Sequence, residues 1–447
     1  MGLPASSADW ALIVVAVSVV GLVVMIAWAK VQPLIAFVIA SIAAALLLHM
    51  PLDAIPKSID KGIGDMLSSL TVLLALGAIF GKLIADSGAA QRIATSLIKA
   101  FGAPRMNLAL TLTGFIVGIP LFYNVGFVLL VPLIFSLVRQ SGKPLVYLAV
   151  PLMAGLSIAH GFLPPHPSPT AIVPMFGANM GLTLIYGLIV GIPTLIIAGP
   201  VFAMTVKKIE AKPANLFTAD PVPDDQLPGT FNSFATALLP VILLSAATGL
   251  TYAPLDASYK PLIGLVGNPT IVMLLALLIA TITLGTARGV KFTQLMQGSS
   301  GALREIAPIL LIIAGAGALK QVFVDGGVST QIGHILGGLP IPPLVLGWLI
   351  AGIIRISLGS ATVAGLTAAA LIAPLVKAGG VDPNLMVLSI GAGSLMFSHV
   401  NDSGFWMFKE YFGLSIKDTL RSWTLMEGLV GIFGLIFVLI LSHFVSA

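Results

Sequence analysis

The chain has 447 residues, 57% of them hydrophobic and only 9% charged, with a mean hydropathy of +1.07; an ordinary soluble domain carries about 25% charged residues, so a water-soluble fold is excluded. The net charge of +5 does not point to nucleic acid, because the 22 Lys and Arg stand singly between apolar stretches and form no basic stripe. With no cysteine, disulfides, thiolate metal sites and thiol nucleophiles are excluded as well.

A membrane span needs about 20 mainly apolar residues, and such stretches recur from Trp10 to the C-terminus. The first, Trp10 to Ala29, is preceded by Asp9 rather than by a basic n-region, and its length suits a retained span better than a cleaved leader. Charges and Pro/Gly clusters divide the chain into ten expected crossings, at 10–29, 31–48, 66–85, 145–175, 182–206, 232–250, 268–287, 306–324, 384–408 and 423–446. Two short amphipathic segments, Gln91 to Ala100 and Thr330 to Leu336, read as connector helices along the interface. With the N-terminus outside, 16 of the 22 basic residues fall in the cytoplasm, as short cytoplasmic loops require. Both termini are then periplasmic.

Met106 to Val138 carries no charge and is too long for one straight span, yet basic residues flank both ends, which therefore want the cytoplasm. Its break at Gly118-Ile119-Pro120 makes residues 106–138 an expected re-entrant hairpin, tolerated where its backbone faces protein or a wet cavity. Residues 342–376, broken around Gly359-Ser360, form the counterpart and would enter from outside. Asp86-Ser-Gly and Asp325-Gly-Gly, Gly126 and Gly365, Pro144 and Pro383, and His160 and His399 are each 239 positions apart, which suggests a duplication. The expected fold is an all-α polytopic membrane protein of two inverted repeats, residues 1–206 and 232–447, each with five spans and one hairpin. A Pro- and Asp-rich cytoplasmic linker, 207–231, joins them.

Broken helices mark where a membrane protein builds a binding site, because only there is backbone left free to bond a solute. Four breaks stand out: Tyr123-Asn124-Val125-Gly126; Ser360-Ala361-Thr362 with Arg355 upstream; His160-Gly161 followed by Pro164-Pro165-His166-Pro167-Ser168-Pro169-Thr170; and Ser398-His399-Val400-Asn401-Asp402-Ser403-Gly404. Half-helix N-termini suit a carboxylate, and Asn, Ser, Thr and His side chains offer the mixed donors and acceptors a polyol requires. An anion bearing hydroxyls is the solute such a site expects. Its candidate ligands are Tyr123, Asn124, His160, His166, Ser168, Thr170, Arg355, Ser360, Thr362, Ser398, His399 and Asn401. Arg355 is a candidate carboxylate clamp; an anchor at the outer headgroups or a partner for an internal Asp explains it equally. His160, His399 and Asp402 are candidates for a coupling proton, against packing roles for the histidines and a helix cap for the aspartate. A co-transported proton would remove the opposition of an inside-negative potential to an entering anion. Glu427 is a weaker candidate, explained as well by an interfacial anchor.

At these residues the chain resembles the gluconate permease family of proton symporters. The resemblance rests on Gly77-Ala-Ile-Phe-Gly-Lys-Leu-Ile-Ala-Asp-Ser-Gly-Ala-Ala, Leu121-Phe-Tyr-Asn-Val-Gly-Phe, Ala159-His-Gly-Phe-Leu-Pro-Pro-His-Pro-Ser-Pro-Thr, Gly285-Thr-Ala-Arg-Gly and Ser398-His-Val-Asn-Asp-Ser-Gly-Phe-Trp, and covers nearly the full length. It implies uptake of gluconate or a related sugar acid with protons across a bacterial inner membrane, with no cofactor. More distantly, the chain is similar to the ion transporter superfamily, which implies a homodimer with a fixed scaffold and a moving, elevator-type transport domain. Members with sodium coupling place Ser-Asn-Thr at two hairpin tips, where this sequence has Tyr123-Asn124-Val125 and Ser360-Ala361-Thr362. Competing readings are a permease for idonate, glycerate or D-serine, a passive channel, and a membrane-embedded metal-dependent hydrolase. Against the hydrolase, His160 and His166 are six apart rather than at i and i+4, and no nucleophile pattern accompanies them.

Overall fold

A computed structural model describes residues 8–211, 222–251, 253, 256–328, 341–399 and 402–445, and among these residues the chain is helical throughout, without a strand. The N-terminal part runs through α1 (Ala8–Val23), α2 (Pro33–Leu47), α3 (Ala54–Asp86) and the amphipathic α4 (Ala89–Phe101). Next come α5 (Met106–Gly118), α6 (Tyr123–Ser141), α7 (Leu145–Phe162), α8 (Pro167–Phe176) and α9 (Met180–Val206, with a π-helical turn at Ile197–Val201). Beyond residue 221 lie α10 (Thr230–Thr251), α11 (Lys260–Val266), α12 (Pro269–Ala280) and α13 (Phe292–Asp325). The last group is α14 (Pro343–Leu358), α15 (Ala361–Lys377), α16 (Pro383–Leu395), α17 (Ser403–Phe412) and α18 (Ile416–Ser442, with a π-helical turn at Leu420–Thr424).

Among the described residues six helical stretches are long and apolar enough to cross a membrane, and α3, bent by 40° between Ser68 and Leu70, makes a seventh. The chain is therefore a multi-pass membrane protein. The remaining apolar helices are shorter, and α5–α6, α7–α8, α14–α15 and α16–α17 are interrupted at the four segments where the sequence concentrates Pro, Gly and polar residues. The expected starts at 66 and 306 fall short, because α3 begins at Ala54 and α13 at Phe292. Charged residues such as Lys57, Asp60, Lys61, Arg304 and Glu305 end the hydropathy signal without ending the backbone ladder, so each helix projects beyond its apolar part. The connector expected at Gln91 to Ala100 is α4; its counterpart at Thr330 to Leu336 lies outside the described residues.

The two long helices pack on each other where neither has a side chain: a Cβ on Gly62 would sit 2.3 Å from the carbonyl oxygen of Gly317. Helices α2 and α12 join this pair. A second group packs α5 on α7 and α14 on α16, with α18 against α7, α14 and α16. Small residues let the backbones approach, which is how helices associate when lipid is as apolar as leucine. Of the expected linker, residues 222–228 are tied to α4: Arg92 donates to the carbonyls of Asp224 and Pro228, and Lys99 pairs with the Asp224 carboxylate at 2.9 Å.

Candidate functional site

Each of the four interruptions has a local cause. Pro120 lies between α5 and α6, and the Pro164-Pro165-His166-Pro167 run separates α7 from α8, since proline supplies no N–H and clashes with the preceding turn. Gly359, at φ +79°, ends α14 in the left-handed region that favours glycine, and Ser360 caps α15 by accepting from the Val363 amide. Asp402 caps α17 by accepting from the Gly404 amide at 3.0 Å.

These restarts meet at a cavity of about 220 Å³. Its wall holds the first turn of α6 (Tyr123, Asn124), Pro167 at the start of α8, the start of α15 (Ser360, Ala361, Thr362), and Asp402 with Gly404 at the start of α17. Phe122, Ser157, His160, Ile309, Arg355, Gly359, Leu395, Trp423 and Glu427 complete it. First-turn amides have no partner within their helix, so helix N-termini beside one space favour negative charge there; in α8, Pro167 and Pro169 leave only the Ser168 amide for this, and the Val363 and Gly404 amides are capped by Ser360 and Asp402. Arg355 adds a guanidinium. It is 4% exposed, pairs with the Asp402 carboxylate at 2.5 Å and donates to the Gly359 carbonyl, while its Nε–H has no partner among the described residues.

Tyr123, Asn124, His160, Arg355, Ser360, Thr362 and Asp402 thus come together, as the sequence suggests. Others do not reach the cavity. His166 is buried behind it, its Nε2–H donating to the Gly118 carbonyl at 2.7 Å, so it closes the cut end of α5. Ser168 and Thr170 are buried, because α8 is packed against α15 and α16 beyond its first residue; a Cβ on Gly365 would lie 2.6 Å from Ser168 Oγ. Ser398 is also buried, donating to Asp402 and accepting from Trp423 Nε1 at 2.7 Å, which fixes the carboxylate from below. His399 bonds the Ile356 carbonyl at 2.9 Å and does not line the cavity. Helix α16 ends at Leu395, whereas α7 runs on past His160, so the chain has already turned when it reaches His399. Asn401 lies outside the described residues.

Two cavity residues carry chemistry that the sequence signals only faintly. Glu427 is 1% exposed, not interfacial, and accepts a hydrogen bond from Ser157. Its signal is that it is the lone Asp or Glu after Asp418, in a stretch otherwise apolar, where an ionisable residue is costly. Trp423 is placed by the π-helical turn that precedes Glu427, and tryptophan in an apolar run gives no warning of a site.

A polar, charge-lined cavity held among broken membrane helices is the anatomy of a permease for a small solute. Sequence comparison says which kind. Residues 10–445 match the model of the GntP family permeases, and the chain belongs to that family. It is 44% identical over 433 residues to a high-affinity gluconate transporter of Escherichia coli (strain K12), covering 96% of this chain and 99% of that one. It is 45% identical to the Gnt-II system L-idonate transporter of the same organism, with 96% and 98% covered, and 44% identical to a gluconate permease of Bacillus subtilis (strain 168), with 96% and 99% covered. Relatives at this identity are transporters and permeases; the protein is a permease and not an enzyme. Its fold is shared with the Alcanivorax borkumensis YdaH transporter, at 14% identity and a TM-score of 0.66 over 92% of this chain and 98% of that one. The Neisseria gonorrhoeae MtrF protein, at 15% identity, gives 0.60 over 87% and 83%.

Proposed function

We propose that this permease imports gluconate or a closely related sugar acid across the bacterial inner membrane by proton symport. The observation that carries the reading is the convergence of four half-helix N-termini and Arg355 on one cavity that also presents Asn124, Ser360, Thr362 and His160. The helix ends suit a carboxylate and the neutral side chains suit hydroxyls. The gluconate and idonate transporters among its relatives point to the same solute class. In this reading Tyr123, Asn124, His160, Arg355, Ser360 and Thr362 contact the solute, with Asn401 as a further ligand, while His166, Ser168, Thr170, Ser398 and His399 support the site from behind.

The architecture follows the same reading: inverted repeats 1–206 and 232–447, a cytoplasmic linker at 207–231, and hairpins at 106–138 and 342–376. Helices α5, α6 and α7 recur in order as α14, α15 and α16, and α3 and α13 end on Asp86 and Asp325, which supports the duplication. Lys143, just past α6, donates to the carbonyl of Ala103, just before α5, at 2.5 Å, which supports a hairpin whose ends share one side. The cavity takes only Ile309 from the α3–α13 pair, which favours a scaffold built on those helices and an elevator-type mobile part holding the broken ones. The working unit is a homodimer with both termini periplasmic. Counterflow tests the carrier itself: proteoliposomes preloaded with unlabelled D-gluconate should accumulate labelled D-gluconate transiently. A passive pore would give simple equilibration.

A further inference from the structure

Symport requires a group beside the solute whose charge can change, and the cavity wall holds a buried carboxyl that no ion pair among the described residues engages. Glu427 is 1% exposed and lines the cavity; its Oε1 accepts from Ser157, and its Oε2 has no hydrogen-bond partner among the described residues. No cation pairs with it among those residues.

The surrounding groups explain why it stands apart. Arg355, from α14, pairs with Asp402 and donates to the Gly359 carbonyl. Asp402 is bound by Arg355, Ser398 and the Gly404 amide, so its carboxylate is fully engaged in holding the break together. His160, from α7, also has a buried Nδ1 without a hydrogen-bond partner among the described residues, but it shares the cavity with Arg355, so protonating it would place two cations in one cavity. Tyr123, from α6, bonds Met153 Sδ at 3.8 Å. Of the other elements packed on α18, α16 brings no ionisable side chain, α9 only Tyr186, and α17 Lys409, Glu410 and Tyr411, of which Lys409 pairs with Glu410, while Arg421 is exposed on the turn before Glu427.

We propose that Glu427 carries the co-transported proton, an assignment that rests on the proton-symport reading. An ionised Glu427 would be a buried charge with no ion-pair partner among the described residues, whereas the neutral acid needs none. Ionised, it would also repel the solute's carboxylate: two like charges about 5 Å apart at an effective dielectric of about 20 disfavour each other roughly 250-fold. Proton and anion therefore bind as a pair. With the cavity open outward, Glu427 takes a proton from water and becomes neutral, and the sugar acid then binds as its anion. When the cavity opens inward and fills with water, the anion leaves and Glu427 returns its proton to the cytoplasm. No covalent bond changes, and each cycle moves one proton with one anion.

The experiment is E427Q in proteoliposomes, since glutamine keeps an acceptor for Ser157 and cannot ionise. The wild type is measured first: it should take up protons with labelled D-gluconate, alkalinising a lightly buffered medium, and if it takes up none the symport reading fails whatever Glu427 does. E427Q should keep exchange of labelled for unlabelled D-gluconate within about tenfold, lose accumulation driven by a pH gradient, lose the alkalinisation, and bind D-gluconate with the same affinity at pH 6 and pH 8. Gradient-driven accumulation or proton uptake by E427Q would overturn the assignment. So would a folded E427Q that no longer binds D-gluconate, because Glu427 would then be a ligand rather than the proton carrier. Should E427Q not reach the membrane, E427D answers instead: a displaced pH midpoint of gluconate binding supports the assignment, and an unchanged one overturns it.

Discussion

Arg355 and Asp402 form an ion pair of 2.5 Å across the gap between α14 and α17, with side-chain exposures of only 4% and 13%. Removing one partner of a buried pair leaves an uncompensated charge and costs about 3–5 kcal/mol, far above the value of an exposed pair. Arg355→Gln and Asp402→Asn should each lower the thermal unfolding midpoint of the purified protein sharply. The double variant, with no orphaned charge, should recover part of the loss; a double variant as unstable as the two losses summed would show that the residues are not coupled.

Asn124 and Thr362 stand on the cavity wall at the first turns of α6 and α15, whereas Thr170 and His399 stand away from it. Leaving a solute hydroxyl unpaired costs about 1–3 kcal/mol, or roughly 5- to 150-fold in affinity. Asn124→Ala and Thr362→Ala should weaken D-gluconate binding by that range, measured by calorimetry. His399→Ala and Thr170→Ala should change it less than about threefold. The reverse pattern would move the site.

The contact between Lys143 and the Ala103 carbonyl brings together the two ends of the first helix pair. In this cysteine-free chain, single cysteines at Ala103 and Ser141 should both react with an impermeant reagent from the cytoplasmic side only. Cysteines at Ile341 and Ala378 should both react from outside only. Opposite-side labelling within either pair would replace the hairpin by a full crossing and undo the inverted arrangement.

The four helix interruptions were legible because proline and glycine act locally: a run such as Pro164-Pro165-His166-Pro167 stops a helix whatever surrounds it. Hence Tyr123, Asn124, His160, Arg355, Ser360, Thr362 and Asp402 could be gathered from four distant segments. Which way a side chain faces is not local. His399 lies 239 positions after His160, but α16 stops at Leu395 and His399 bonds the Ile356 carbonyl; Ser168 and Thr170 lie among the same prolines as His166, and packing of α8 on α15 and α16 buries them away from the cavity. Glu427 was half-legible, since a lone acid in an apolar run signals something, while its burial against Ser157 depends on α7 and α18 meeting. Charges misled at α3 and α13, where they mark the end of the apolar surface and not of the helix.

Uptake of labelled D-gluconate by proteoliposomes under an imposed pH gradient, acid outside, without sodium, tests the central claim most directly. The account predicts accumulation above the external concentration that collapses when a protonophore dissipates the gradient and is competed by unlabelled sugar acids. Uptake that requires sodium and survives collapse of the pH gradient, or no uptake of any sugar acid in a panel including gluconate and idonate, would contradict it.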